Sequence, residues 1–194
     1  MGATRTSLAG LSWDFVLGVA LTEPYEVTPS DLWPGGPTAG VAWRRRLGDP
    51  FAPPKAGDLL PFSGGSLRMP LPAAAGAPPD GDWGNYTLWV AAPRTCGGKG
   101  WALLGEWSKL VVVSAQRVVG VRPECSPSAP ALEVTVRGAV GEAVELAFAA
   151  PDGSVHTAAA RIPAAGRATV RVPTADAEHV VTGAAQQQQP SSPQ

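Results

Sequence analysis

The sequence predicts an all-β protein, an antiparallel β-sandwich with long Pro/Gly-rich loops and a disordered C-terminal tail. Three observations carry that expectation. First, 21 Pro and 23 Gly stand among 194 residues, so turn-prone positions interrupt the chain too often for long helices. Second, between Ala131 and Val172 apolar and polar residues alternate with the period of two that a half-buried strand requires. Third, all seven Trp and both Tyr precede residue 108, and among the Phe residues only Phe148 follows it. Two differently composed apolar layers are thereby brought to one core.

Residues 1–122 are expected to form an aromatic-rich β region. The run "SWDFVLGVAL", Ser12 to Leu21, is rich in strand formers. Asp14 interrupts this apolar patch and no small-residue cleavage site follows, so the start reads as a β-strand of something longer rather than as a signal peptide. The proline-punctuated "EPYEVTPSDLWPGGP" is a turn-rich excursion, and "GVAWRRR" another strand. Residues 49–82 form a long loop in which "LLPF" and "SLRMPL" are short strands.

In "NYTLWVAAP", Tyr86, Leu88 and Val90 alternate with Thr87, Trp89 and Ala91, which is a strand signal. The glycine turn "CGGKG" then leads into "GWALLGEWSKLVVVSAQRVVGV". Gly105 and the β-branched run Val111 to Val113 oppose a helix there, and two strands broken near Ser108–Lys109 are expected. Residues 123–182 hold "ALEVTVRG", "EAVELAFAAPDG", "VHTAAARI" and "ATVRV", read as a four-stranded antiparallel meander packing on the first region. Residues 183–194, polar and Gln-rich, lack the apolar area to offset ordering entropy and form the tail.

The formal net charge of −1 gives no electrostatic footprint for nucleic acid or anionic membranes. No stretch approaches the ~20 apolar residues of a transmembrane helix. His156 and His179 are the only histidines and none lies at ligand spacing with a cysteine, so no metal or other cofactor is expected. There is no Gly-x-Ser-x-Gly nucleophile turn, and "PFSGGS" and "TCGGKG" lack the helix that would help cradle a phosphate. Cys96 and Cys125 flank the long apolar run and can form a disulfide in an oxidising compartment or remain free thiols in a reducing one. Asn85-Tyr86-Thr87 is an N-glycosylation sequon, which inclines an otherwise undetermined compartment toward the secretory route.

Carbohydrate chemistry has one set of candidates. Acidic residues beside aromatic platforms suit sugars, and Asp82, Trp83, Trp89, Trp101, Glu106 and Trp107 compose such a set, with Asp80 close by. The competing reading makes the tryptophans core residues and the acids turn residues. Arg44 to Arg46 reads as a solvated surface run.

The segments "DLWPGGP", "YTLWVAAP", "GWALLGEWSKLVVVSAQRVVGV" and "GAVGEAVELAFAAPDGSV" resemble the C-terminal β-region of large alga- and plant-type glycoside hydrolases related to α-galactosidases and raffinose synthases. The resemblance implies a β-sandwich that follows a catalytic (β/α)8 barrel. The family's catalytic aspartates lie in that barrel, so no catalytic residue transfers to this chain. The expectation is a non-catalytic accessory β-domain of a carbohydrate-active enzyme, with the barrel or a sugar as its partner. The alternative is an independent β-sandwich interaction module with no sugar role.

Overall fold

The computed structural model describes residues 2–19, 23, 25–27, 39–45, 52–64, 67–71 and 86–173. Strands β1 (Gly2–Leu8) and β2 (Leu11–Val19) form a hairpin whose two turn residues, Ala9 and Gly10, both take positive φ, 49° and 77°. That conformation matches the twist of the strands it joins. With β4 (Ala39–Arg44), β5 (Leu59–Ser63) and β7 (Tyr86–Pro93) they build a five-stranded antiparallel sheet in the order β1-β2-β7-β4-β5. The short strands β3 (Tyr25–Val27) and β6 (Met69–Leu71) pair with each other. The expected islands at "LLPF" and "SLRMPL" are β5 and β6.

Both faces of the large sheet are covered. Trp13, Phe15, Val41, Trp43, Leu88 and Val90 point into the main core, while Val16, Ala42, Trp89 and Ala91 point the other way, against Phe62, Leu67 and Met69. The alternation seen in "NYTLWVAAP" is therefore a division between two apolar layers, and Trp89 falls on the opposite side from Leu88 and Val90.

The remaining strands are β8 (Ala102–Gly105), β9 (Val118–Glu124), β10 (Ala131–Arg137), β11 (Ala143–Ala149), β12 (Val155–Arg161) and β13 (Arg167–Val172). The four strands expected as one meander are present, but β10 and β11 do not pair. They belong to two three-stranded antiparallel sheets, β13-β10-β9 and β12-β11-β8. The physical reason lies in the faces. Leu132, Val134 and Val136 of β10 and Val144, Leu146 and Phe148 of β11 are all fully buried in one core. An arch at residues 138–142 lets the two apolar faces share that core, where a meander would leave one large face to be covered from elsewhere. The boundary drawn between 122 and 123 likewise runs through β9, because β8 and β9 from the first region complete the two later sheets.

The run at 100–121 contributes β8 and β9, but the break between them extends over residues 106–117. Gly105, at φ 103°, turns the chain out of β8, and the Glu106 N–H then bonds the Val112 carbonyl at 2.7 Å. Val112 and Val113 are buried without belonging to a strand, whereas Leu110 and Val111 stand 59% and 57% exposed. Residues 183–194, expected as a disordered tail, lie outside the described residues.

Candidate functional site

Where β8 ends and the arch from β10 to β11 begins, the loop 106–117 walls one side of an open depression of about 550 Å³. Glu106, Lys109, Leu110, Val111, Arg117 and Arg137 are among its lining residues. Arg117 is its hub. Its Nε donates to Glu106 Oε2 at 2.8 Å and its Nη2 to Glu106 Oε1 at 3.2 Å, a two-point clamp. The same guanidinium donates through Nη1 to Glu142 Oε2 at 3.0 Å and through Nη2 to Glu142 Oε1. Nη1 also reaches the Arg137 carbonyl at 2.9 Å.

Local structure holds these groups in place. Glu142 Oε2 accepts the Ala139 N–H at 3.0 Å within the arch. Gly138 at its start leaves room for the clamp, since a Cβ there would lie 2.4 Å from Glu142 Oε2 and 2.5 Å from Arg117 Nη1 and would push those side-chain ends aside. Hydrogen bonding from Arg117 is the main reason that the Glu142 carboxyl is held down to about 2, with the Ala139 N–H second. Arg117 is raised in turn, first by its bond to Glu142. Glu106 is 3% exposed and spends both oxygens on the same cation.

Arg45 supports the far side of the loop. It is only 2% exposed, contrary to the solvated run expected at 44–46; Arg44 is exposed, and Arg46 lies outside the described residues. Its Nη2 donates to the Trp107 carbonyl at 2.9 Å and its Nη1 to the Lys109 and Leu110 carbonyls. A loop without regular pairing must satisfy its carbonyls somewhere, and the planar fork of Arg45 does so from β4's end. The guanidinium also sits 5.7 Å from the Trp43 ring centroid.

The sequence-derived candidates are dispersed by this geometry. Asp82, Trp83 and the sequon Asn85 lie outside the described residues, as does Asp80. Trp89 is buried on the outer face of the large sheet and donates to the Pro70 carbonyl at 2.9 Å. Trp101 is buried in the main core, donates to the Pro130 carbonyl at 2.9 Å and meets the His156 ring edge-on at 5.1 Å. Trp107 is half-buried beside that core, and its buried indole N–H has no partner among the described residues. Of the candidates among the described residues, Glu106 lines the depression, whereas Trp89, Trp101 and Trp107 do not. Cys96 and Cys125 are joined by a disulfide with Cα atoms 5.2 Å apart, tying the turn before β8 to the end of β9.

Sequence reasoning missed Arg117, Glu142 and Arg45. Each sits at the margin of an apolar stretch in a charge-poor chain, and that position was the available signal. A second polar group lies at the turn into β12. Ser154 Oγ donates to Asp152 Oδ1 at 2.6 Å and lies 3.1 Å from His156 Nε2. The serine stands between acid and imidazole, giving its proton to the acid, so the histidine is not placed to remove it as a nucleophile's base would. Among the described residues no group of His, Cys, Asp and Glu is gathered to hold a metal ion, and no helix is long and apolar enough to cross a membrane.

The chemistry available at the depression is restricted. Glu106 and Glu142 are both turned onto one guanidinium, and the Glu142 carboxyl is held well below the ordinary carboxylate range, whereas glycoside hydrolysis needs two carboxyl groups that flank the sugar, one of them protonated. Comparison with protein-family models, curated proteins and solved structures finds no match to the chain.

Proposed function

We propose that this chain is a non-catalytic β-sandwich module that acts by presenting surface to a partner. The observation that carries this reading is the Glu106–Arg117–Glu142 cluster. Glu106, in the wall of the open depression, and Glu142 share the Arg117 cation and are locked by hydrogen bonds, and Ser154 gives its proton to Asp152 rather than to His156. What remains accessible is a contact surface, with Leu110 and Val111 exposed beside Lys109 and Arg137. The disulfide favours an oxidising compartment, in accord with a secretory route.

A more specific form makes the module the accessory β-domain of a carbohydrate-active enzyme of the α-galactosidase type, covering a catalytic barrel or contacting sugar. It draws on the sequence resemblance and on Glu106 in the wall of the depression. Three of the candidate residues differ in their setting: Trp89 and Trp101 are buried in packing, and Trp107 is half-buried with a buried indole N–H that has no partner among the described residues, so sugar contact there would need the ring to turn outward.

The experiment is an activity screen of the purified chain on aryl α- and β-glycosides from pH 3 to 8, together with a galacto-oligosaccharide titration followed by thermal shift. No turnover is expected, and turnover abolished by Glu142→Gln would overturn the non-catalytic reading. A saturable stabilisation lost in Trp107→Ala supports sugar contact; its absence removes sugar contact and leaves the docking role.

A further inference from the structure

From the edge of β12 we infer that the chain pairs with a second copy of itself, strand β12 to strand β12 about a two-fold axis. This interface is independent of the depression described above. The alternation of hydrogen bonds along β12 follows from its ends. The Ala150 N–H bonds the Ser154 carbonyl and the Ile162 N–H bonds the Glu142 carbonyl. With the unbroken register Phe148↔His156, Leu146↔Ala158 and Val144↔Ala160, the even residues turn their backbone groups inward to β11. Val155, Thr157, Ala159 and Arg161 therefore turn N–H and C=O outward, and among the described residues no strand pairs with that side.

Other edges of the larger sheets carry features that discourage pairing. Pro61 lies in β5 and Pro123 in β9. The Leu103 carbonyl of β8 is capped by the Trp13 indole at 2.8 Å. Edge strand β13 presents Arg167 and Arg171, and β1 carries Arg5 at its centre. By contrast β12, "VHTAAAR", has seven residues with no proline, bulge or central charge. Unprotected edges of this length are templates for another strand.

A second copy fits this edge for a reason of shape and charge. Placing the two-fold axis at Ala158 sets Thr157 against the partner's Ala159 and Val155 against the partner's Arg161, each pair exchanging two hydrogen bonds. Between them Ala158 meets its own counterpart and His156 meets the partner's Ala160, small opposite large, with no like charges opposed. Arg161 is held to the Gly141 carbonyl at 2.8 Å, which draws its charge away from the seam. The two β12-β11-β8 sheets then become one continuous sheet across the axis.

Sedimentation velocity and amide hydrogen exchange on the full chain at rising concentration test this. Half-association is expected on the order of 10 µM, appropriate to a small interface. At high concentration the amides of Val155, Thr157 and Ala159 should slow at least tenfold, while those of His156, Ala158 and Ala160 are already slow. Thr157→Pro removes an outward N–H and leaves the monomer's ladder intact, so it should abolish association without changing the fold seen by circular dichroism. Thr157→Lys should weaken association at least tenfold and serves if the proline variant misfolds. A wild-type chain that stays monomeric at ~200 µM overturns the proposal. So does association unchanged in both variants, or β12 protection that appears only when a foreign extended peptide is added.

Discussion

Arg117 shows how a single residue determines what the depression can do. Its guanidinium pairs with both the nearly buried Glu106 and the partly exposed Glu142. Replacing it with Met leaves a buried carboxylate without its cation, and a loss on the order of 3–5 kcal/mol is expected in chemical denaturation. The same cluster gives a signed pH dependence. The Glu142 pKa is lowered from an ordinary 4.5 to about 2, so its contribution is fully present above 4.5 and disappears as pH falls through about 2. Between those values the wild type should lose stability more steeply than Glu142→Gln. Parallel acid limbs in urea titrations would show that the ion pair contributes nothing. Arg45 and Arg117 also mark the limit of sequence legibility at this scale. "WRRR" and "AQRVV" resemble exposed basic residues because nothing local reveals which carbonyls and carboxylates the fold will bring to them.

At the scale of elements, the loop 106–117 depends on its entry and on its staple. Gly105 takes φ 103°, and a Cβ there would stand 2.3 Å from the Val112 carbonyl oxygen. Gly105→Ala should therefore cost about 2–3 kcal/mol through backbone strain and the displaced loop; a melting temperature within a degree of wild type would refute that role. The disulfide links residues 29 apart in sequence and encloses β8, this loop and β9. Reduction should lower stability by about 3–4 kcal/mol, measured as a shift in the denaturant midpoint. Strand existence was legible here: "SWDFVLGVAL", "NYTLWVAAP" and the four later runs all became strands, because period-two alternation is a local property. The fate of Val111 to Val113 was not. Their β propensity is real, yet a buried position in a loop core satisfies their apolar side chains equally well.

Across the whole molecule, one apolar core joins the inner face of the five-stranded sheet to both three-stranded sheets, from Trp13 and Trp43 through Leu103 to Val134 and Phe148. Unfolding followed by Trp fluorescence, which reports the first part, should coincide with circular dichroism, which reports all strands, and Leu146→Ala should shift both by about 3 kcal/mol. Separate transitions would mean that the two parts fold independently. The amino-acid sequence by itself determined the all-β class, the approximate strands and, through alternation, the buried face of β10, β11 and β13. Only the tertiary structure decided that β10 and β11 enter different sheets, that β8 and β9 complete them, and that Glu106, Arg117 and Glu142 meet. The reason is range. Side-chain periodicity is set by a residue's nearest neighbours in the chain, whereas the hydrogen-bond partner of a strand edge and the counter-ion of a buried charge are set by segments tens of residues away.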